Sequence, residues 1–275
     1  MIDYLYRRRF LIARRFTQIS LLFMYAGANI YGWEIARGNF SSSVLFNTIP
    51  LSDPFAVLQM FFAGAFISAD ILIGAFVVLA VYGIIGGRFF CSWVCPVNII
   101  TDTAAWIKKK LSFKTKEKQL TLSRSIRYWI IAVTFILSFL FSLSAFEMIS
   151  PIGIAHRGII FGFGFGWFFL LAIFLFDLFS QEHGWCGHIC PLGGFNAIIG
   201  KYSLIKVIHN QEKCLYSFAC FNVCPENEIL RMVGKKSVVI TGAECVKCGR
   251  CIEVCNNDAF EVSIVGIAKQ LRDKG

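Results

Sequence analysis

Charge is what this chain has least of. Only 16% of its 275 residues are charged, against about 25% in an average chain. That scarcity excludes an ordinary soluble domain. Acidic residues are the rarer sign, 17 against 27 basic ones, for a formal net charge of +10. In so apolar a chain, excess Lys and Arg mark the inner loops of a membrane protein, not nucleic-acid contacts. Histidine is rare as well: His156, His183, His188 and His209 are all there is. None lies inside an apolar stretch, which excludes paired histidines clamping a haem within a membrane. The C-x-x-C-H signature of covalently held haem is missing too, and so is any low-complexity segment.

Apolar residues make up 56% of the chain, with 29 Phe among them. Four stretches, Ile19–Ala36, Ile67–Gly87, Tyr128–Ile149 and Ile159–Phe179, approach the roughly 20 residues that cross a bilayer core. Arg7, Arg8, Arg9, Arg14 and Arg15 precede the first. Arg88, Lys108, Lys109, Lys110, Lys114, Lys116, Lys118 and Arg124 lie between the second and third. The other connections hold little more than Arg37 and Arg157. This bias predicts a multi-pass inner-membrane protein of four spans with both termini cytoplasmic. The Arg-Arg-Arg-Phe-Leu start has the look of a twin-arginine signal. Basic residues running on to Arg15, and no small-residue cleavage site, favour an uncleaved anchor.

Eleven cysteines carry the chemistry. The last third holds two runs, Cys214-x5-Cys220-x3-Cys224-Pro225 and Cys245-x2-Cys248-x2-Cys251-x3-Cys255. A complete bacterial ferredoxin run is C-x2-C-x2-C-x3-C-P, whose fourth Cys ligates the other cluster. By that rule Cys224, Cys245, Cys248 and Cys251 hold one [4Fe–4S] cluster. Cys214, Cys220 and Cys255 hold the other, with Ser217 where its fourth Cys would stand. A Ser-ligated [4Fe–4S], a [3Fe–4S] or an outside ligand all remain open there. Disulfides need an oxidising compartment. Zinc sites use four ligands in separated pairs, unlike two triplets each with a trailing Cys.

The membrane part repeats itself. Phe90-Cys91-Ser92-Trp93-Val94-Cys95-Pro96 answers Trp185-Cys186-Gly187-His188-Ile189-Cys190-Pro191, each after a pair of apolar stretches. Cys91, Cys95, Cys186 and Cys190 are candidates for a further cluster or for thiol–disulfide chemistry. The expected architecture is an all-α four-helix membrane domain of two repeated hairpins over residues 1–204, then a small α+β ferredoxin-like domain over residues 205–275.

With haem excluded, electrons use iron–sulfur, thiols or a bound quinone. Oxidising a quinol needs proton acceptors in an apolar cleft, and ionisable residues near spans are functional candidates. Glu34, Asp70, Glu147 and His156 form that set, with Asp53 and Arg157 in the outer loops and Asp177 toward the inner end of the fourth stretch. The apolar segment from Pro54 to Gly64 is too short to span and fits an interfacial or re-entrant helix.

Arg37-Gly38-Asn39-Phe40-Ser41-Ser42-Ser43, Pro50-Leu51-Ser52-Asp53-Pro54, the first C-x3-C-P motif, and the second together with Glu182-His183-Gly184 before it closely resemble the NapH/MauN family. The resemblance covers nearly the whole chain and departs at Ser217. It implies a membrane ferredoxin-type quinol dehydrogenase subunit acting within a complex and taking electrons from menaquinol or ubiquinol. It further implies a NapG-like periplasmic iron–sulfur partner, then a periplasmic cytochrome and nitrate reductase. Related membrane ferredoxins serve nitrous oxide reduction, methylamine oxidation and cytochrome oxidase maturation, so the alternative expectation is the equivalent subunit for nitrous oxide reduction, or a metalloenzyme maturation or assembly factor. Charge bias puts the ferredoxin inside and the implied acceptor outside, about 30 Å of membrane apart. Either a further centre completes that path, or the inner clusters report redox state.

Overall fold

The computed structural model describes residues 8–111, 122–162, 164–240 and 242–264. Arg7, Lys114, Lys116 and Lys118 of the basic loops lie outside them. The chain forms two compact units: Met1–Thr17 with Val81–Val94 and Asn196–Gly275, and Gln18–Ala80 with Cys95–Phe195.

The larger unit is mostly helical. Helix α1 (Arg9–Tyr31) enters it from the first unit. Three short strands follow, β1 (Ala36–Gly38), β2 (Ser42–Leu45) and β3 (Ile49–Ser52), an antiparallel sheet in sequence order. Asn39 forms its first turn: the side-chain oxygen accepts from Ser41 N at 2.8 Å and Ser42 N at 2.9 Å, the local bonding that makes Asn a turn residue. Helix α2 (Pro54–Phe62) forms within the short apolar segment from Pro54 to Gly64. Asp53 caps it by accepting from Phe55 N at 3.3 Å, and Pro54 takes the first-turn position where a missing N–H costs nothing.

Then come α3 (Ala69–Ile85), α5 (Val97–Lys110), α6 (Ser125–Phe141), α7 (Ala145–Ile149), α8 (Pro151–Phe161) and α9 (Gly166–Phe179), while α4 (Phe89–Trp93), between α3 and α5 in the chain, belongs to the smaller unit. A π-turn (Trp185–Ile189) and α10 (Pro191–Gly200) complete the helical part. The Phe55 ring anchors the interior, with Phe135, Phe146 and Phe195 centroids 5.5, 5.8 and 5.3 Å away. Gln59 is fully buried beneath and accepts from Phe146 N at 2.9 Å.

Each of the four expected spans contains a helix, but no described helix is long and apolar enough to cross a membrane. Helices α3 and α6 have 17 residues each and α9 has 14. Helix α1 has 23 but includes Arg9, Arg14 and Arg15. The breaks have local causes. Ser142 turns left-handed (φ 52°) and ends α6, and Gly162 (φ 87°) ends α8 before α9 begins.

The smaller unit carries the α+β element expected near the C-terminus. Strands β4 (Ile205–His209), β5 (Val238–Ile240) and β6 (Phe260–Ile264) form an antiparallel sheet in the order β5-β4-β6. Val207 at its centre pairs with Ile240 on one side and Val262 on the other. Two short helices, α11 (Ala219–Val223) and α12 (Arg250–Val254), pack against each other. Val207, Cys220, Leu230, Val233, Ile240 and Phe260 make the core.

Candidate cofactor sites and a polar cleft

The two cysteine runs of the smaller unit fold as copies of one loop. In the first, Tyr216 (φ 54°) and Phe218 (φ 52°) are left-handed; in the second, Lys247 (φ 52°) and Gly249 (φ 75°) are. Each loop then enters a five-residue helix and leaves it through an extended Cys, Cys224 (ψ 122°) or Cys255 (ψ 108°). The paired left-handed residues curl the backbone so that successive cysteines point inward, and the last Cys of each run crosses to the other loop.

The result is two cysteine-lined cavities. One, about 380 Å³, is lined by Cys214, Ser217, Cys220 and Cys255. The other, about 30 Å³, is lined by Cys224, Cys245, Cys248 and Cys251. These are the two sets expected from ligand spacing. Ser217 occupies the place in its loop that Cys248 occupies in the other. All these thiols are free of disulfides. Burial, then repulsion by Cys248, pushes Cys224 up to about 12; burial raises Cys245, Cys251 and Cys220 as well. Such thiols hold their protons at neutral pH until a metal displaces them. Ala259 N donates to Cys255 Sγ at 3.3 Å, the kind of bond that tunes a cluster's potential. No three described His, Cys, Asp or Glu side chains are placed for a single metal ion. The soft thiol sets fit iron–sulfur clusters, whose ligands are spread over several metal atoms.

The second loop is gripped from two directions within the same unit. At the N-terminal end of α1, Glu253 accepts from Phe10 N at 2.6 Å and Leu11 N at 3.0 Å. Phe10 covers Gly249, where a Cβ would come 2.4 Å from its ring. The segment leading into the first C-x3-C-P motif holds the other side. Arg88, 1% exposed, donates to Glu226 and Glu244 carboxylates, both at 2.8 Å, and to Glu244 O at 2.9 Å. Ser92 Oγ donates to Val246 O at 2.6 Å and Trp93 Nε1 to Lys247 O at 3.0 Å. Burial alone would weaken the Arg88 proton, but Glu226, Cys91 and Glu244 together hold the guanidinium firmly charged. Lys247 reaches back to Ile85 O, Ser203 Oγ and Ile205 O; burial draws its ammonium down to about 8.

The spacing rules pointed to Arg88 only as one basic loop residue. Its two carboxylate partners flank cysteines, Glu226 two residues after Cys224 and Glu244 just before Cys245. An Arg two residues before an aromatic–Cys motif was the available signal.

Among the other predicted cysteines, Cys91 belongs to the smaller unit, and Cys95, Cys186 and Cys190 to the larger. Gln18 Nε2 donates to Cys95 O at 3.2 Å. Buried Arg127 donates to Gly187 O at 3.1 Å, inside the π-turn between Cys186 and Cys190.

The larger unit also holds a cleft of about 240 Å³ lined by Ser41, Ser144, Glu147, Met148, His156 and Arg157, with Asn39, Phe40 and Gly153. Ser41 Oγ donates to Glu147 Oε2 at 2.6 Å. His156 is buried, its ring edge-on to Tyr25 and Phe40 at 5.9 and 5.7 Å, and its Nε2 meets no hydrogen-bond partner. Burial and then the Arg157 charge lower its pKa, so the imidazole is a neutral base at pH 7. Of the four predicted proton-handling residues, the cleft brings Glu147 and His156 together. Glu34 instead makes an exposed pair with Arg37 at 2.6 Å. Asp70, expected inside a span, stands exposed in the first turn of α3, where a carboxylate complements the helix dipole. Ser41 and Ser144 were missed, since lone serines carry no sequence signal. Asp177 is buried and accepts from Trp185 N at 3.0 Å, a role in tying α9 to the π-turn.

Two thiol-lined cavities under crossed cysteine runs define a ferredoxin-type iron–sulfur protein that transfers electrons. A 4Fe–4S dicluster domain model matches residues 206–256. A separate 4Fe–4S binding domain model matches twice, over residues 68–114 and 161–208, once around each C-x3-C-P motif. The chain is 41% identical to the ferredoxin-type protein NapH of Haemophilus influenzae, over 94% of this chain and 91% of that one. It is 39% identical to NapH of Escherichia coli, over 93% and 89%. With the methylamine utilization ferredoxin-type protein MauN of Methylorubrum extorquens it shares 41% identity, over 92% and 88%. The chain belongs to the NapH/MauN family of ferredoxin-type proteins. No solved structure matches it.

Proposed function

We propose that this chain is a membrane subunit that oxidises quinol, menaquinol or ubiquinol, and passes the electrons on toward nitrate respiration. The observation that carries the reading is the cleft in which a neutral His156 and the Ser41-bonded Glu147 face a space with an apolar wall. A quinol entering there would give one hydroxyl proton to His156 Nε2 and the other to Glu147, while Arg157 balances the developing negative charge. Glu34 and Asp70 would serve as surface proton acceptors at most.

Cys214, Cys220 and Cys255, with the Ser217 position, would hold one iron–sulfur cluster; Cys224, Cys245, Cys248 and Cys251 would hold a [4Fe–4S] cluster. Clusters bound there supply one-electron transfer. The cysteines of each C-x3-C-P motif are candidates for further cluster or thiol chemistry, supported by the doubled 4Fe–4S match around them.

Membrane residence in four spans, both termini inside, rests on composition, on the basic bias and on apolar side chains held outward. Phe66, Phe76, Phe139 and Phe165 are all exposed, as lipid contact would require. The family resemblance implies nitrate as the terminal acceptor, through an iron–sulfur partner and cytochrome in the periplasm. The equally similar MauN places methylamine metabolism within the family's reach.

A deletion strain tests the reading. Quinol-dependent turnover should be lost while the partner reductase keeps its full metal content. A cofactor-poor, inactive reductase would assign the chain to enzyme assembly instead.

A further inference from the structure

The two cysteine loops share one backbone, yet only one presents four thiols. The left-handed pair Tyr216 and Phe218 repeats Lys247 and Gly249, which places Ser217 in register with Cys248. Their surroundings differ sharply. Cys248 is buried at 8% exposure, whereas Ser217 and its neighbours Leu215, Tyr216 and Phe218 are exposed. The cavity that Ser217 lines is about 380 Å³, against about 30 Å³ at the four-thiol site. A thiol reaches its ligating form near pH 8.5. A hydroxyl is a harder donor that gives up its proton far less readily, and at an exposed position it competes with bulk water for any iron.

We propose that Ser217 leaves one corner of this site without a protein ligand, and that the corner accepts an exchangeable ligand of the small-thiolate class from solution. The inference rests on the iron–sulfur reading of Cys214, Cys220 and Cys255 and narrows it. A thiolate is the ligand class because the other three donors are soft sulfurs and the corner opens to solvent through a roomy, part-apolar mouth. With a cluster held by Cys214, Cys220 and Cys255, an entering thiol would lose its proton to bulk water and displace the solvent-derived water or hydroxide at that corner, which would leave to solvent, with no change of oxidation state.

The test uses the full-length protein, purified anaerobically in detergent with its clusters in place. It is titrated with 2-mercaptoethanol and read by low-temperature EPR in the oxidised and reduced states. One of the two cluster signals should shift saturably with thiol. Ser217→Cys should produce the shifted signal without added thiol and abolish the response, while Ser217→Ala should keep it. A wild-type signal indifferent to thiol but altered by Ser217→Ala would mean that Ser217 itself ligates, and would overturn the proposal. So would a three-iron signal that thiol and ferrous iron leave unchanged. Iron and sulfide too low for two clusters, with no signal that Cys248→Ala removes, would overturn the iron–sulfur reading itself.

Discussion

The two cysteine loops differ less in backbone than in what holds them. The loop around Cys245 and Cys248 is covered by Phe10, tied through Arg88 to Glu226 and Glu244, and bonded by Ser92 and Trp93 to its carbonyls. The loop around Cys214 and Ser217 has exposed Leu215, Tyr216 and Phe218 and a far larger cavity. A shared fold therefore does not impose a shared chemistry. The four-thiol site is built to be closed and fixed, and the three-thiol site to be reached from outside. Gly86 (φ 124°), before the first C-x3-C-P motif, lies against the same loop: a Cβ there would stand 2.5 Å from Lys247 Nζ.

The comparison breaks most completely at Cys248. Cys248→Ser should turn the closed site into a replica of the open one, so that one cluster signal per protein becomes labile and iron content falls on gel filtration. Unchanged iron and EPR would mean that the burial of that site, and not its fourth thiolate, secures the metal. Next comes Arg88→Ala. It leaves Glu226 and Glu244 without their buried partner, and removing one member of a buried pair costs about 3–5 kcal/mol. Chemical denaturation in detergent should register that loss, with the site holding Cys224 and Cys245 released first. Equal loss at both sites would deny the unequal grip.

The cleft residues sharpen the comparison differently. Glu147→Gln and His156→Gln should each slow quinol-driven reduction of both clusters by about 10²–10⁴-fold, while dithionite still reduces both at the wild-type rate. Asp53 gives a smaller, pH-dependent effect. Burial first, and Glu147 second, raise its carboxyl to about 7. Its unfolded value is about 3.9, so the folded state binds the proton more tightly. Stability is then fully present below pH about 4 and declines as pH rises toward 7. Asp53→Asn keeps a capping oxygen and should flatten that decline in a thermal-melt series. Last, Glu34→Gln removes only an exposed pair, worth at most about 1 kcal/mol, and should leave quinol oxidation and stability unchanged.

Much of the cofactor arrangement was legible in the sequence because ligand spacing is a local code. C-x2-C-x2-C dictates a loop, and the crossing of the fourth Cys follows from it, so both cysteine sets and the Ser217 gap could be read directly. The helix from Pro54 was legible for the same reason, with Asp and Pro marking its start. The grip on the second loop was not. Arg88 and Glu226 are 138 positions apart, and nothing local says that a basic residue beside an apolar segment turns inward. The small sheet of β1–β3 also went unread: its strands are three or four residues long, too short to show alternation. Hydrophobic run length overstated the helices, because Ser142 and Gly162 interrupt the backbone without interrupting the apolar composition. In the cleft, charge flagged Glu147 and His156, but only packing separates them from Glu34 and Asp70.

The most direct test is anaerobic rapid mixing of the full-length protein with a menaquinol analogue, freeze-quenched and read by low-temperature EPR beside iron and sulfide counts. Quinol should reduce the clusters quickly in wild type and slowly in Glu147→Gln and His156→Gln. Fully loaded clusters that dithionite reduces and quinol leaves oxidised, even with the proposed iron–sulfur partner present, would contradict the account.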